Sequence, residues 1–206
     1  MNYRLWWVML LLWPGWTLAA SCSLLIVGDS LSSGYGLAPG QGWVDRLDVR
    51  LKQTAPQWRV VNASVSGDTT QNGLQRLKPA LARQRPQGVL IELGGNDALR
   101  GIPPAVIRQN LVAMVREARA SGAWVLLLEA PVLPNYGKPY ADAVARLYGD
   151  VARAEKVTHV PCFVCAVAVK PELMQADRIH PNEKGQPGLL DAVWPYLKPK
   201  LRCRAK

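Results

Sequence analysis

Five short runs rich in Val, Ile and Leu recur along the chain, at Leu24 to Val27, Arg59 to Ala63, Gly88 to Leu93, Ala123 to Glu129 and Val157 to Val160. They lack the regular apolar and polar alternation of a half-wet strand, so they suit strands covered on both faces, as in a parallel sheet. The stretches between them carry a helical period. Trp43, Leu47 and Leu51 form one apolar stripe, Ile107, Leu111, Met114, Val115 and Ala118 a second, and Tyr140, Val144, Leu147, Tyr148 and Val151 a third. Pro103 and Pro104 stand where the second of these helices should begin, and Gly122 where it should stop. Strand alternating with helix predicts a three-layer α/β/α domain from about residue 23 onward. No internal repeat, low-complexity tract or linker interrupts it.

The residues before that domain read differently. Arg4 is the one charge among residues 1–20, an unbroken apolar run follows from Leu5 to Trp13, and Ala19, Ala20 and Ser21 supply small residues after a Pro14-Gly15 break. This is the pattern of a secretory signal peptide over residues 1–20, which leaves residues 21–206 as the mature domain. A membrane anchor would need the uncharged stretch from Leu5 through Gly28 and would consume the first core strand. Cys22 also loosely resembles a lipoprotein cleavage position, which stands as a minor alternative. The expected location is the periplasm or the exterior.

With 206 residues, 49% of them apolar, the chain can bury a full core, and a disordered protein is excluded. Without the leader, 24 Lys and Arg face 15 Asp and Glu, a net charge of +9. That excess admits contact with an anionic membrane. Nucleic acid is not expected, because no basic stripe is interleaved with aromatics. Of the four cysteines, Cys162 and Cys165 have the spacing of a redox or zinc pair, but they sit in an apolar run with no second ligand pair. A local disulfide or two buried thiols is the expectation. No metal or cofactor is called for, and a monomer is expected.

In open parallel sheets the ligand site lies at the carboxyl ends of the strands. There the first run ends in Gly28-Asp29-Ser30-Leu31, the second in Asn62-Ala63-Ser64-Val65-Ser66-Gly67-Asp68, and the third in Gly94-Gly95-Asn96-Asp97. Near the C-terminus stands Asp177-Arg178-Ile179-His180-Pro181, whose spacing lets a carboxylate accept from the imidazole N–H. Only two histidines occur, and His159 lies inside an apolar strand, so His180 is the one well-placed base for a Ser30 nucleophile. Taken singly, each segment is also ordinary turn chemistry.

Together and in this order, the four segments resemble the blocks of the SGNH (GDSL) hydrolase superfamily. The longer runs Asn62 to Thr69, Glu92 to Asp97 and Leu133-Pro134-Asn135-Tyr136-Gly137 are similar to a bacterial periplasmic branch with thioesterase and lysophospholipase activity. The resemblance implies a flavodoxin-like five-stranded parallel sheet. It also implies catalytic Ser30, Asp177 and His180, with an oxyanion hole from the Ser30 and Gly67 N–H groups and the Asn96 amide. The implied reaction is cleavage of acyl esters and thioesters, lysophospholipids and aryl esters through an acyl-enzyme. A carbohydrate or wall-polymer O-acetylesterase is the alternative enzyme, and a basic lipid-binding domain of the same fold the alternative without catalysis. Leu99, Ile102, Leu133, Pro134 and Tyr136 flank the loops and are expected to line an acyl groove. Arg178 departs from the small residue, often Gly, usual at its place in the superfamily.

Overall fold

A computed structural model of the chain describes residues 22–131 and 136–203. Strands β1 (Cys22–Gly28), β2 (Trp58–Asn62), β3 (Gly88–Glu92), β4 (Trp124–Leu128) and β5 (Thr158–Val160) form one sheet in the order β2-β1-β3-β4-β5. Every pairing is parallel, with Ile26 opposite Asn62 on one side and Leu90 on the other. The helices are α1 (Ser30–Ser33), α2 (Trp43–Thr54), α3 (Thr70–Gln84), α4 (Gly95–Leu99), α5 (Pro104–Ala120), α6 (Lys138–Glu155), α7 (Cys165–Ala168) and α8 (Gln186–Leu197).

The central strands sort their side chains to both faces. Leu24, Ile26, Leu90 and Leu126 join Trp43, Leu47 and Leu51 of α2 and Leu189, Leu190 and Val193 of α8 in one core. Their neighbours Leu25, Val27, Ile91 and Leu127 join Leu77 of α3, Leu111 and Met114 of α5 and Val144 and Tyr148 of α6 in another. Because a strand's successive side chains point to opposite faces, a continuous apolar run feeds both cores at once. This is the expected three-layer architecture.

Two disulfides are present. Cys162 and Cys165 are bonded to each other, the local pairing anticipated, and Cys22 is bonded to Cys203 across a separation of 181 residues. The signal peptide expected over residues 1–20 lies outside the described residues. Among the described residues no helix is long and apolar enough to cross a membrane.

Candidate active site

Strand β1 ends in a tightly packed turn that several side chains tether. Gly28 is packed so closely that a Cβ there would meet Glu92 and Ser32. Asp29 then caps α1: its Oδ1 accepts from the Leu31 N–H at 3.1 Å, and its Oδ2 accepts from Asn96 Nδ2 at 3.0 Å. Glu92, at the end of β3 and fully buried, accepts from Ser32 Oγ at 2.8 Å and from the Asp29 N–H at 3.4 Å. Its other oxygen has no partner. Burial, and then the Asp29 charge, push the Glu92 carboxyl well above its ordinary value. Burial also raises Asp29 to about 6, opposed by the Leu31 N–H and the Asn96 amide. The result is a half-buried Ser30 on a short, firmly held helical turn.

The base reaches Ser30 from a loop far along the chain. Met174 and Pro181 form an antiparallel bridge, Gln175 N–H donates to the His180 carbonyl at 2.8 Å, and Gln175 Nε2 donates to the Tyr35 carbonyl at 2.9 Å. Within that loop Asp177 Oδ1 accepts from the N–H groups of Ile179 and His180 at 2.9 and 3.0 Å. With its proton on Nδ1, His180 donates to Asp177 Oδ2 at 2.7 Å, leaving Nε2 to accept from Ser30 Oγ at 2.8 Å. The desolvation that raises the Asp177 carboxyl is outweighed by the His180 and Ile179 donors, which together bring it down to about 2. Asp177 is thus ionised at neutral pH. Arg178 has φ +57°, a left-handed conformation that favours glycine, and its exposed side chain borders the cavity described below.

Two further loops are locked beside the serine. Asp97, buried at the start of α4, accepts from the Thr70 N–H at 2.8 Å and from Thr70 Oγ1 at 2.6 Å, tying α4 to the start of α3. Arg100 donates to the Gly67 carbonyl at 3.0 Å. These contacts fix the loop of Gly67, whose φ is +82°, against the helix that carries Asn96. Among the described residues neither the Ser30 nor the Gly67 N–H donates to a turn or loop carbonyl. A hydroxyl hydrogen-bonded to an imidazole, an imidazole hydrogen-bonded to a carboxylate, and uncommitted N–H groups alongside can together activate a nucleophile and stabilise an oxyanion.

A sequence model of the GDSL-like Lipase/Acylhydrolase family matches residues 26–186, which take in the end of β1, all of β2 to β5 and the Ser30, Asn96 and His180 segments. The chain belongs to the GDSL-like lipase/acylhydrolase family. It is 52% identical over 183 residues to Esterase TesA of Pseudomonas aeruginosa, covering 89% of this chain and 91% of that protein. To Thioesterase 1/protease 1/lysophospholipase L1 of Escherichia coli it is 40% identical over 181 residues, covering 88% of this chain and 86% of the other. A solved structure described as the crystal structure of TesA superposes with a TM-score of 0.83 at 52% identity, covering 86% of this chain and 99% of that one. As a GDSL-like acylhydrolase the chain is an enzyme, and the fold matches the sheet expected of it.

In this acylhydrolase Asp29, Ser30, Gly67, Asn96 and His180 border one cavity of about 270 Å³. Leu99, expected in the acyl groove, borders it too. Ile102 and Tyr136 do not. Ile102 packs on the core beside α5 and its carbonyl accepts from Tyr140 Oη, while Tyr136 stacks on Tyr140 with ring centroids 5.5 Å apart. Both flank the loops that carry the site, as expected, but the tyrosine pair holds them against α6. Leu133 and Pro134 lie outside the described residues. The apolar lining instead comes largely from Leu31, Tyr35, Val164, Ala168, Met174 and Ile179. Val164 and Ala168 belong to the apolar run around the cysteine pair, and their place after β5, at the carboxyl edge of the sheet, is the sequence signal for their part in the lining. His159 pairs with Glu129 at 3.0 Å and is not part of the cavity lining.

Proposed function

We propose that the chain cleaves carboxylic esters and thioesters of apolar acyl groups through a covalent acyl-enzyme. Ser30 Oγ attacks the acyl carbonyl as His180 Nε2 takes its proton, giving a tetrahedral oxyanion. The Ser30 and Gly67 N–H groups and the second amide hydrogen of Asn96 stabilise that oxyanion. Collapse expels the alcohol or thiol with the proton held by His180, leaving the acyl group on Ser30 Oγ. Water, deprotonated by the same imidazole, then releases the acid and restores the serine. Ionised Asp177 keeps the His180 proton on Nδ1 and stabilises the imidazolium. The observation that carries this reading is the continuous Ser30, His180 and Asp177 hydrogen-bond chain bordering a cavity with a largely apolar lining.

Export to the periplasm or beyond accompanies this function. It is supported by the leader pattern and by two disulfides, which persist in oxidising compartments. The mature enzyme acts as a monomer on small acyl substrates, and its basic surface draws it to anionic membranes.

Hydrolysis of p-nitrophenyl butyrate tests the chemistry. Ser30→Ala abolishes turnover with an unchanged circular dichroism spectrum, and Asn96→Ala lowers kcat by about a hundredfold or more with little change in KM. Undiminished turnover in Ser30→Ala would overturn the mechanism, and an unaffected kcat in Asn96→Ala would remove that residue from the oxyanion hole.

A further inference from the structure

The cavity lies along the carboxyl edge of the sheet. Ser30, Asn96 and His180 give it polar groups, and the segment after β5 adds apolar Val164 and Ala168 to its lining. The segment after β5 supplies part of the apolar wall while packing on the core. Phe163 and Val167 are buried in the core, Phe163 against Trp43 with ring centroids 6.0 Å apart. Val164, packed in the same core, and the exposed Ala168 also border the cavity.

Little regular structure holds this wall in place. Helix α7 has four residues, far below the length at which a helix sustains itself. The turn leading into it is closed by a Cys165 N–H bond to the Cys162 carbonyl at 3.0 Å. The Cys162–Cys165 disulfide spans this same turn and encloses Phe163 and Val164 in its ring. Cys165 is exposed and Cys162 half-buried, so the bond lies on the outer side of the wall. Closing so short a loop constrains the unfolded chain little, and the bond's main effect is therefore local.

We propose that the Cys162–Cys165 disulfide sets the length of acyl chain the enzyme accepts, by fixing Val164 and the start of α7 as the end wall of the cavity. This rests on the acylhydrolase reading above and adds a specificity determinant to it. An acetyl group attached to Ser30 stops short of the wall, whereas a long acyl chain meets it. Opening the disulfide lets the wall recede, which relaxes discrimination against long chains without touching the chemistry.

The test compares kcat/KM for p-nitrophenyl acetate, butyrate and dodecanoate in the parent and in C162S/C165S, with Cys22–Cys203 intact. The acetate value stays within about twofold, and the dodecanoate to butyrate ratio rises at least fivefold. A ratio within twofold of the parent overturns the proposal. Should the double variant fail to fold, dithiothreitol applied to the folded parent opens the exposed bond, the dithiol being oxidised as two thiols form. Alkylation and mass measurement confirm that Cys162 and Cys165 alone have reacted, and the same ratio is read. Ala168→Trp, which thickens the wall, lowers the ratio at least fivefold. If it does so while opening the disulfide changes nothing, the wall faces the acyl chain and the disulfide does not set it, which overturns the proposal. Absence of acetate hydrolysis in the parent is the separate failure of the acylhydrolase reading.

Discussion

Asn96 has two amide hydrogens, and the Asp29 carboxylate takes one of them, which orients the other toward the cavity. Behind Asp29 lies Glu92, and two carboxyl groups this close in a buried site do not both ionise readily. Asp29 has the amide donors that favour a charge, and Glu92 has an oxygen with no partner, so Glu92 carries the proton. A carboxyl whose pKa is raised on folding contributes stability below its unfolded pKa and loses it as pH rises through the folded value. Glu92→Gln, which keeps the shape and cannot ionise, should therefore gain in melting temperature relative to the parent as pH rises above the ordinary carboxylate range. A difference between the two that does not vary with pH would contradict a protonated Glu92. None of this coupling is readable from the sequence, because Asp29 meets Glu92 and Asn96 across 63 and 67 positions. Ser30 and His180 were legible for a simpler reason. One follows a buried strand directly, and the other is one of only two histidines.

The elements that were legible are those whose apolar pattern is strong and uninterrupted. All five strands fall within about two residues of their expected positions, and α2, α5 and α6 carry the buried stripes read from the sequence. Helices α3 and α8 were not anticipated, and the cause is physical. The buried face of α3 includes Thr70, Gly73 and Ala80, where a larger side chain at Gly73 would strike Leu93, and Pro79 interrupts its sequence. Helix α8 has Pro187 in its first turn, contains Pro195 and is apolar around much of its circumference, so it shows little period. The pairing of β1 with the tail beyond α8 through Cys22–Cys203 was equally hidden. In the loop-entropy picture that disulfide, closing 181 residues, stabilises by up to about 5 kcal/mol, against roughly 2 for Cys162–Cys165. Urea unfolding of C22A/C203A and of C162S/C165S should rank the losses in that order. The reverse order would show that the short loop carries the greater global constraint.

Across the whole molecule, the edge of the parallel sheet gathers residues from distant parts of the chain into one site: Gly67 after β2, Ser30 after β1, Asn96 after β3, Pro131 after β4 and Val164 after β5. The hydrogen-bonded polar groups and the apolar lining residues thus border one cavity at the carboxyl edge of the sheet. Net charge belongs to a different property, the approach to a surface. Sedimentation with vesicles rich in anionic lipid should decline as salt is raised from low to physiological concentration and beyond, and salt-insensitive binding would separate membrane contact from the basic excess. The central claim is that Ser30 is the nucleophile activated by His180. It is tested most directly by exposing the folded protein to a fluorophosphonate ester and locating the adduct by peptide mass spectrometry. The account predicts one adduct per chain, on Ser30, formed slowly or not at all in His180→Ala; an adduct confined to another residue, or undiminished labelling in Ser30→Ala, would contradict it.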